Sequence, residues 1–149
     1  MKTRWILILI LLISALLAAC GGGTAPADLP ESLVVTDGTA SKDYTAADLA
    51  GLPATEASFE GTGYKGVVLG ALLRDAGFDP AALRAVKVVA ADGYSVNYDP
   101  ALFRREDVLV AYARADGPLA ADDGTVRMVV PGAEGKLNVR MLSKIEVVP

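Results

Sequence analysis

Apolar and polar positions fall in short alternating blocks along most of this chain, and the blocks predict more strands than helices. Leu33-Val34-Val35 opens the series. Asp37-Gly38 follows and leads toward Lys42-Asp43-Tyr44, which predicts a hairpin. Thr45 is placed to cap a short helix over residues 46–49, and Gly51 and Pro53 end it. Residues 54–59 form a strand candidate, Gly61 and Gly63 mark a turn, and the strand pattern resumes over residues 64–67. The clearest helical pattern covers residues 68–76. Leu69, Leu72, Leu73 and Ala76 recur at i, i+3, i+4 and i+7, giving one apolar face. Gly77 stands where a left-handed cap belongs, with Phe78 able to fold back onto the helix. Asp79-Pro80 predicts a second, short helical turn.

From there the chain reads mainly as strands. AVKVVA at 85–90 is one, and Asp92-Gly93 turns into Tyr94–Tyr98. Pro100–Phe103 predicts a helical turn, and VLVAY at 108–112 a buried strand. Asp116-Gly117-Pro118 is a turn. VRMVV at 126–130 and the residues from Ile145 to Val148 complete the strands. Helices are few and are not inserted regularly between strands. The expected class is α+β, one domain with a mixed β-sheet and two or three short helices.

The first 19 residues break this rhythm. Lys2 and Arg4 precede a largely apolar run from Trp5 to Ala19, broken only by Ser14, and Cys20 and Gly21-Gly22-Gly23 follow. A positive start, a short apolar stretch and small residues before a processing point mark an export signal. The run has 15 residues, short of the roughly 20 needed to span a bilayer as a helix. Leu17-Ala18-Ala19-Cys20 resembles the lipobox of bacterial lipoproteins. That resemblance implies cleavage before Cys20, palmitate-like acyl chains on Cys20, and a protein held at the cell membrane on its extracytoplasmic face. Several acyl chains anchor a protein stably where one holds it marginally. The expected organisation is a signal peptide at 1–19, a Gly/Pro-rich linker at 20–31 and a domain at 32–149. Glycine and proline in the linker build no packed element.

Composition then narrows the chemistry. Lys2 and Arg4 leave with the signal, so the remaining 130 residues carry 12 basic and 18 acidic side chains. An acidic surface gives no electrostatic footprint for nucleic acid and no basic patch for anionic lipid. The chain has no histidine and a single cysteine. Zinc, copper and haem sites lose their usual nitrogen ligand, and Ser–His or Cys–His catalysis is excluded. With Cys20 acylated, no thiol remains for a metal, and no disulfide can form within the chain.

The segments Tyr64–Gly77, Val86–Ser95, Asp107–Tyr112, Val126–Gly132 and Val139–Val147, in that order and spacing, resemble the molybdopterin-binding domain of the sulfite oxidase family. VRMVVPG, a loop, and VRMLSKIEVV carry most of the likeness, which spans roughly Leu33 to Val148. The resemblance implies a mixed α+β domain whose loops surround a pterin phosphate and a molybdenum centre. It also implies a metal-binding cysteine thiolate from the segment before the helix that contains Leu72. Here that segment is ATEASFEGTG, at 54–63, with no cysteine. Glu56 and Ser58 are its nearest polar side chains, and neither is a soft ligand. The resemblance places the loop Gly132–Arg140 against the cofactor, with Arg140 near the pterin.

Gly135, Lys136, Asn138 and Arg140 are therefore the candidate ligand-binding residues. Glycine permits close backbone approach, Asn138 donates and accepts, and the two cations suit an anionic group. The competing reading is a solvated loop whose cations pair with Glu134 or Glu146. Tyr94 and Tyr98 share a face if their strand is regular, as a stacking platform or as packed tyrosines with wet hydroxyls. Arg104-Arg105-Glu106-Asp107 reads as a solvated charged corner, and Asp122-Asp123-Gly124 as a turn lacking the rest of a calcium loop. The expectation is a noncatalytic module that binds a small anionic ligand or an envelope protein partner, with no metal and no cofactor. The alternative is a compact molybdenum–molybdopterin oxidoreductase working with a membrane redox partner, for which Ser58 is an oxygen ligand.

Overall fold

The computed structural model describes residues 31–149, so the expected signal peptide at 1–19, Cys20 and the expected linker as far as residue 30 lie outside the described residues. Among these residues ten strands form: β1 (Leu33–Thr36), β2 (Ser41–Tyr44), β3 (Thr55–Phe59), β4 (Thr62–Val68), β5 (Ala85–Ala90), β6 (Ser95–Tyr98), β7 (Leu109–Arg114), β8 (Gly117–Pro118), β9 (Arg127–Val129) and β10 (Leu142–Val148). Among the described residues three short helices join them: α1 (Ala46–Ala50), α2 (Leu69–Asp75) and α3 (Pro100–Phe103). Single 3-10 turns lie at Ala121–Asp123 and Gly135–Leu137. The α+β class and the small single domain are as the pattern predicts.

The strands divide into two sheets. The first has the order β2-β1-β10-β5-β6, and the second β3-β4-β7-β8, with β9 also paired to β7. The first sheet is mixed, because β1 runs parallel to β10 while its other pairs are antiparallel. The second is antiparallel throughout. The main core lies where the sheets and helices meet. It joins Val35, Val86, Val88, Ile145 and Val147 to Leu49, Leu69, Leu72, Leu73 and Phe103, and to Val67, Val110 and Met128. Each such side chain contributes on the order of 1.5–3 kcal/mol by leaving water. A smaller cluster of Tyr64, Leu109, Ala111 and Val129 packs on the other face of the second sheet. Both faces of β7 are thus covered, which is why VLVAY reads as a continuous apolar run.

Local chemistry sets the helix starts. Thr45 and Asp48 form a reciprocal capping box at α1, with the Thr45 hydroxyl accepting from the Asp48 amide at 3.1 Å. Asp99 caps α3, where Pro100 occupies the first turn. After α2, Gly77 adopts φ +93° and the Phe78 amide bonds back to Leu73, as a Schellman-type stop requires.

Apart from shifts of one or two residues at element ends, four features differ from the pattern. Asp79–Ala82 is a turn held by the Asp79 carboxylate, which accepts from the Ala81 amide, and not a helix. The hairpin between β3 and β4 turns at Glu60-Gly61, with φ of 49° and 78°, and Gly63 is already in β4. Gly117-Pro118 pairs with β7 as the short β8. Finally, β10 begins at Leu142, because an irregularity between Leu142 and Lys144 interrupts the alternation.

Candidate functional site

The β9–β10 connection carries the four sequence-predicted residues, and the structure brings them together. Gly135, Lys136, Asn138 and Arg140 line one open groove of about 350 Å³ with Asp92, Tyr94 and Asp122. Two tyrosines hold the loop in place. The Tyr94 hydroxyl donates to the Lys136 carbonyl at 2.9 Å, and the Tyr98 hydroxyl donates to the Leu137 carbonyl. Residues four apart on β6 and its approach thus reach adjacent carbonyls of one 3-10 turn. Burial first, and the neighbouring Tyr94 second, raise the Tyr98 phenol well above its usual range. Tyr94 is 45% exposed and Tyr98 fully buried, so the pair is a strut with one wet member.

The polar side chains of the loop are largely committed within the chain. Asn138 is 3% exposed. Its Oδ1 accepts from the Val130 amide at 2.7 Å, and its Nδ2 donates to the carbonyls of Val130 and Glu134 at 3.4 and 3.3 Å. Lys136 pairs with Glu134 at 2.7 Å, both highly exposed. That hydrogen bond holds the Glu134 carboxyl below and the Lys136 ammonium above their usual ranges. Arg140 pairs with Asp122 at 2.8 Å. Glu146, the other carboxylate considered for these cations, pairs instead with Lys87 on the neighbouring strand and with Lys144 on its own.

Beneath the groove lies a polar cluster that the sequence pattern did not single out. Arg127 and Asp123 are each 3% exposed and meet at 2.5 Å. Arg127 also donates to the Tyr64 hydroxyl at 3.0 Å, and its guanidinium lies 4.7 Å from the Tyr64 ring centroid. Arg114 and Arg140 approach the same Asp123 carboxylate at 3.7 and 3.8 Å. Asp122-Asp123-Gly124 is therefore more than a turn, since it delivers two carboxylates to three arginines. Two signals were available: an arginine inside an apolar strand, and an aspartate four residues before it. The two arginines of the corner 104–107 are likewise tied to the chain. Arg104 donates to the carbonyls of Pro80, Ala81 and Leu83, while Arg105 joins Asp107 and the Pro131 carbonyl.

The segment implied to supply a metal thiolate forms β3 and the turn after it. Glu56 and Ser58 lie exposed on this edge strand, opposite Lys65 and Gly63. They offer only hard oxygen donors, and among the described residues no three His, Cys, Asp or Glu side chains group as metal ligands. This edge strand therefore presents hard oxygen donors and not the thiolate that the resemblance implies.

Comparison with known proteins places the fold. Residues 93 in number align at 36% identity with the mitochondrial sulfite oxidase of Drosophila melanogaster, covering 56% of this chain and 16% of that protein. The crystal structure of the sulfane dehydrogenase SoxCD from Paracoccus pantotrophus superposes with a TM-score of 0.69 at 21% identity, over 85% of this chain and 40% of that one. The chain therefore spans well under half the length of either. The family model for the oxidoreductase molybdopterin binding domain matches residues 32–149, the whole of the two-sheet domain, and the chain belongs to that family.

Proposed function

We propose that this protein is an extracytoplasmic lipoprotein whose molybdopterin-binding-like domain works as a noncatalytic module, binding a small anionic ligand or an envelope protein partner. The lipid on Cys20 would hold it at the membrane. No helix among the described residues is long and apolar enough to cross a bilayer. The observation that carries the reading is the chemistry around the candidate cofactor face. Asn138 is pinned to Val130, Arg140 and Lys136 are matched to Asp122 and Glu134, and the β3 edge presents oxygen donors in place of a thiolate. The acidic balance of the chain argues against nucleic acid as the partner.

The test is to purify the full chain from the membranes of a host that makes molybdopterin. Molybdenum is measured by mass spectrometry and pterin by fluorescence after oxidation. The expected result is far less than one of either per chain, with acyl chains on an N-terminal Cys20. Stoichiometric molybdenum and pterin would establish the oxidoreductase alternative instead.

A further inference from the structure

The loop groove has its cations matched from within the chain. A second cavity, of about 340 Å³, does not. It is lined by Thr55 at the head of β3, Gly70 and Ala71 in α2, and the charged side chains of Arg74, Arg104 and Glu106. Its volume falls at the small end of the roughly 300–1,000 Å³ typical of ligand pockets.

The charges on its wall are arranged unequally. Arg104 is clamped: Nε donates to the Pro80 carbonyl at 3.0 Å, and Nη2 to those of Ala81 and Leu83 at 3.0 and 3.3 Å. Three carbonyl acceptors fix the guanidinium plane without neutralising it, and they leave Nη1 without an acceptor among the described residues. The side chains of Arg74 and Glu106 make no ion pair or hydrogen bond with any described residue. Gly70 adds an independent sign. A Cβ placed there would meet nothing nearer than Arg74 Nη1, at 3.9 Å. Alanine would fit without strain and is the better helix former. The glycine instead leaves the cavity wall bare beneath the Arg74 guanidinium, which folds back one turn along α2.

We propose that this cavity is the seat of a small carboxylate-bearing ligand, held between Arg74 and Arg104, with a donor group at its other end facing Glu106. The assignment rests on the ligand-binding reading above, and narrows its small anionic ligand to a carboxylate that also carries a donor group. Guanidinium groups match a carboxylate through paired N–H donors. Two cations around one carboxylate leave Glu106 to accept from the ligand, so a zwitterion of the amino-acid type suits the site better than a simple anion.

The experiment titrates the full chain in lipid nanodiscs with glycine, acetate and inorganic phosphate, following arginine Nε–H resonances by NMR. Glycine is expected to shift the Arg74 and Arg104 signals saturably, and acetate to bind more weakly. Arg74→Gln, an exposed substitution, should weaken glycine binding by roughly tenfold or more through the lost charge-assisted bonds. Glu106→Gln should erase the preference for glycine over acetate. The proposal is overturned if no probe shifts either arginine, if Arg74→Gln leaves binding unchanged, or if phosphate binds more tightly than glycine. It is also overturned if Arg140→Gln weakens binding more than Arg74→Gln, which would move the seat to the loop groove while the noncatalytic reading stands. Molybdenum and pterin in the same preparation would overturn that reading and leave this cavity's titration to be judged by itself.

Discussion

Asn138 sits in a loop whose composition suits ligand contact, yet its amide is spent on the backbone. Its Oδ1 accepts from Val130 N, and its Nδ2 reaches the Val130 and Glu134 carbonyls. Removing the amide leaves a buried Val130 N–H with no partner, a loss of about 1–3 kcal/mol. Asn138→Ala should therefore lower the unfolding free energy measured by urea titration by that amount, whereas Lys136→Ala, whose ion pair is exposed, should change it by less than about 1 kcal/mol. Equal effects would contradict this division of roles. The Lys136–Glu134 pair was legible in the sequence because its members lie two positions apart. The Arg140–Asp122 and Arg114–Asp123 pairs were not, because a turn and a strand intervene between their members. Arg127 and Asp123 show the same limit: spacing hints at their pairing, but only burial turns it into a costly commitment. Breaking one partner of such a pair strands the other charge.

Two strands depart from simple alternation, and each departure marks a close packing requirement. On β4 the register shifts between Lys65 and Gly66 against β7. A Cβ at Gly66 would stand 2.3 Å from the Val110 carbonyl oxygen and 2.6 Å from the Ala111 Cα. Backbone atoms cannot give way as a side-chain tip does. Gly66→Ala should cost about 1–3 kcal/mol or more as overpacking, visible as a lower thermal midpoint, while alanine at the open Gly70 position should be tolerated. On β10, Ser143 falls in the irregular stretch, and its hydroxyl donates to the Val89 carbonyl at 3.1 Å. Leu142 and Ile145 then both face the core although three positions separate them. A strict period of two places the start of the strand at Ile145 for this reason. The caps at Thr45 and Gly77, by contrast, were readable residue by residue, since they act on amides and carbonyls within a few positions.

Across the whole molecule, stability should form a plateau with one acid and one alkaline limb. Hydrogen bonds from Lys42 and Tyr44 hold Asp75 below its usual value of 3.8, backbone amides of Ala40 and Thr39 do so for Asp37, and Arg105 for Asp107. Lys87 does the same for Glu146, below 4.5. A carboxyl lowered on folding adds stability that is full above its unfolded value and is lost as pH falls through the folded one. The acid limb should thus begin below about pH 4.5. Burial, with the Asp75 hydrogen bond second, raises Tyr44, and burial raises Tyr98, both above 10.0. Their contribution is full below about pH 10 and lost as pH climbs beyond it. The chain has no histidine, so denaturant midpoints should stay flat from about pH 6 to 8, and a step in that window would point to a titrating group outside this set. The sequence by itself determined the α+β class, the short helices and the restricted donor chemistry, because propensity, capping and composition act through neighbouring residues. Only the tertiary structure decided that the strands divide between two sheets, that β1 lies beside β10, and which cations face carboxylates and which face open cavities. Those outcomes depend on contacts between residues far apart in the chain, where the free energy of packing and of charge burial outweighs any local preference.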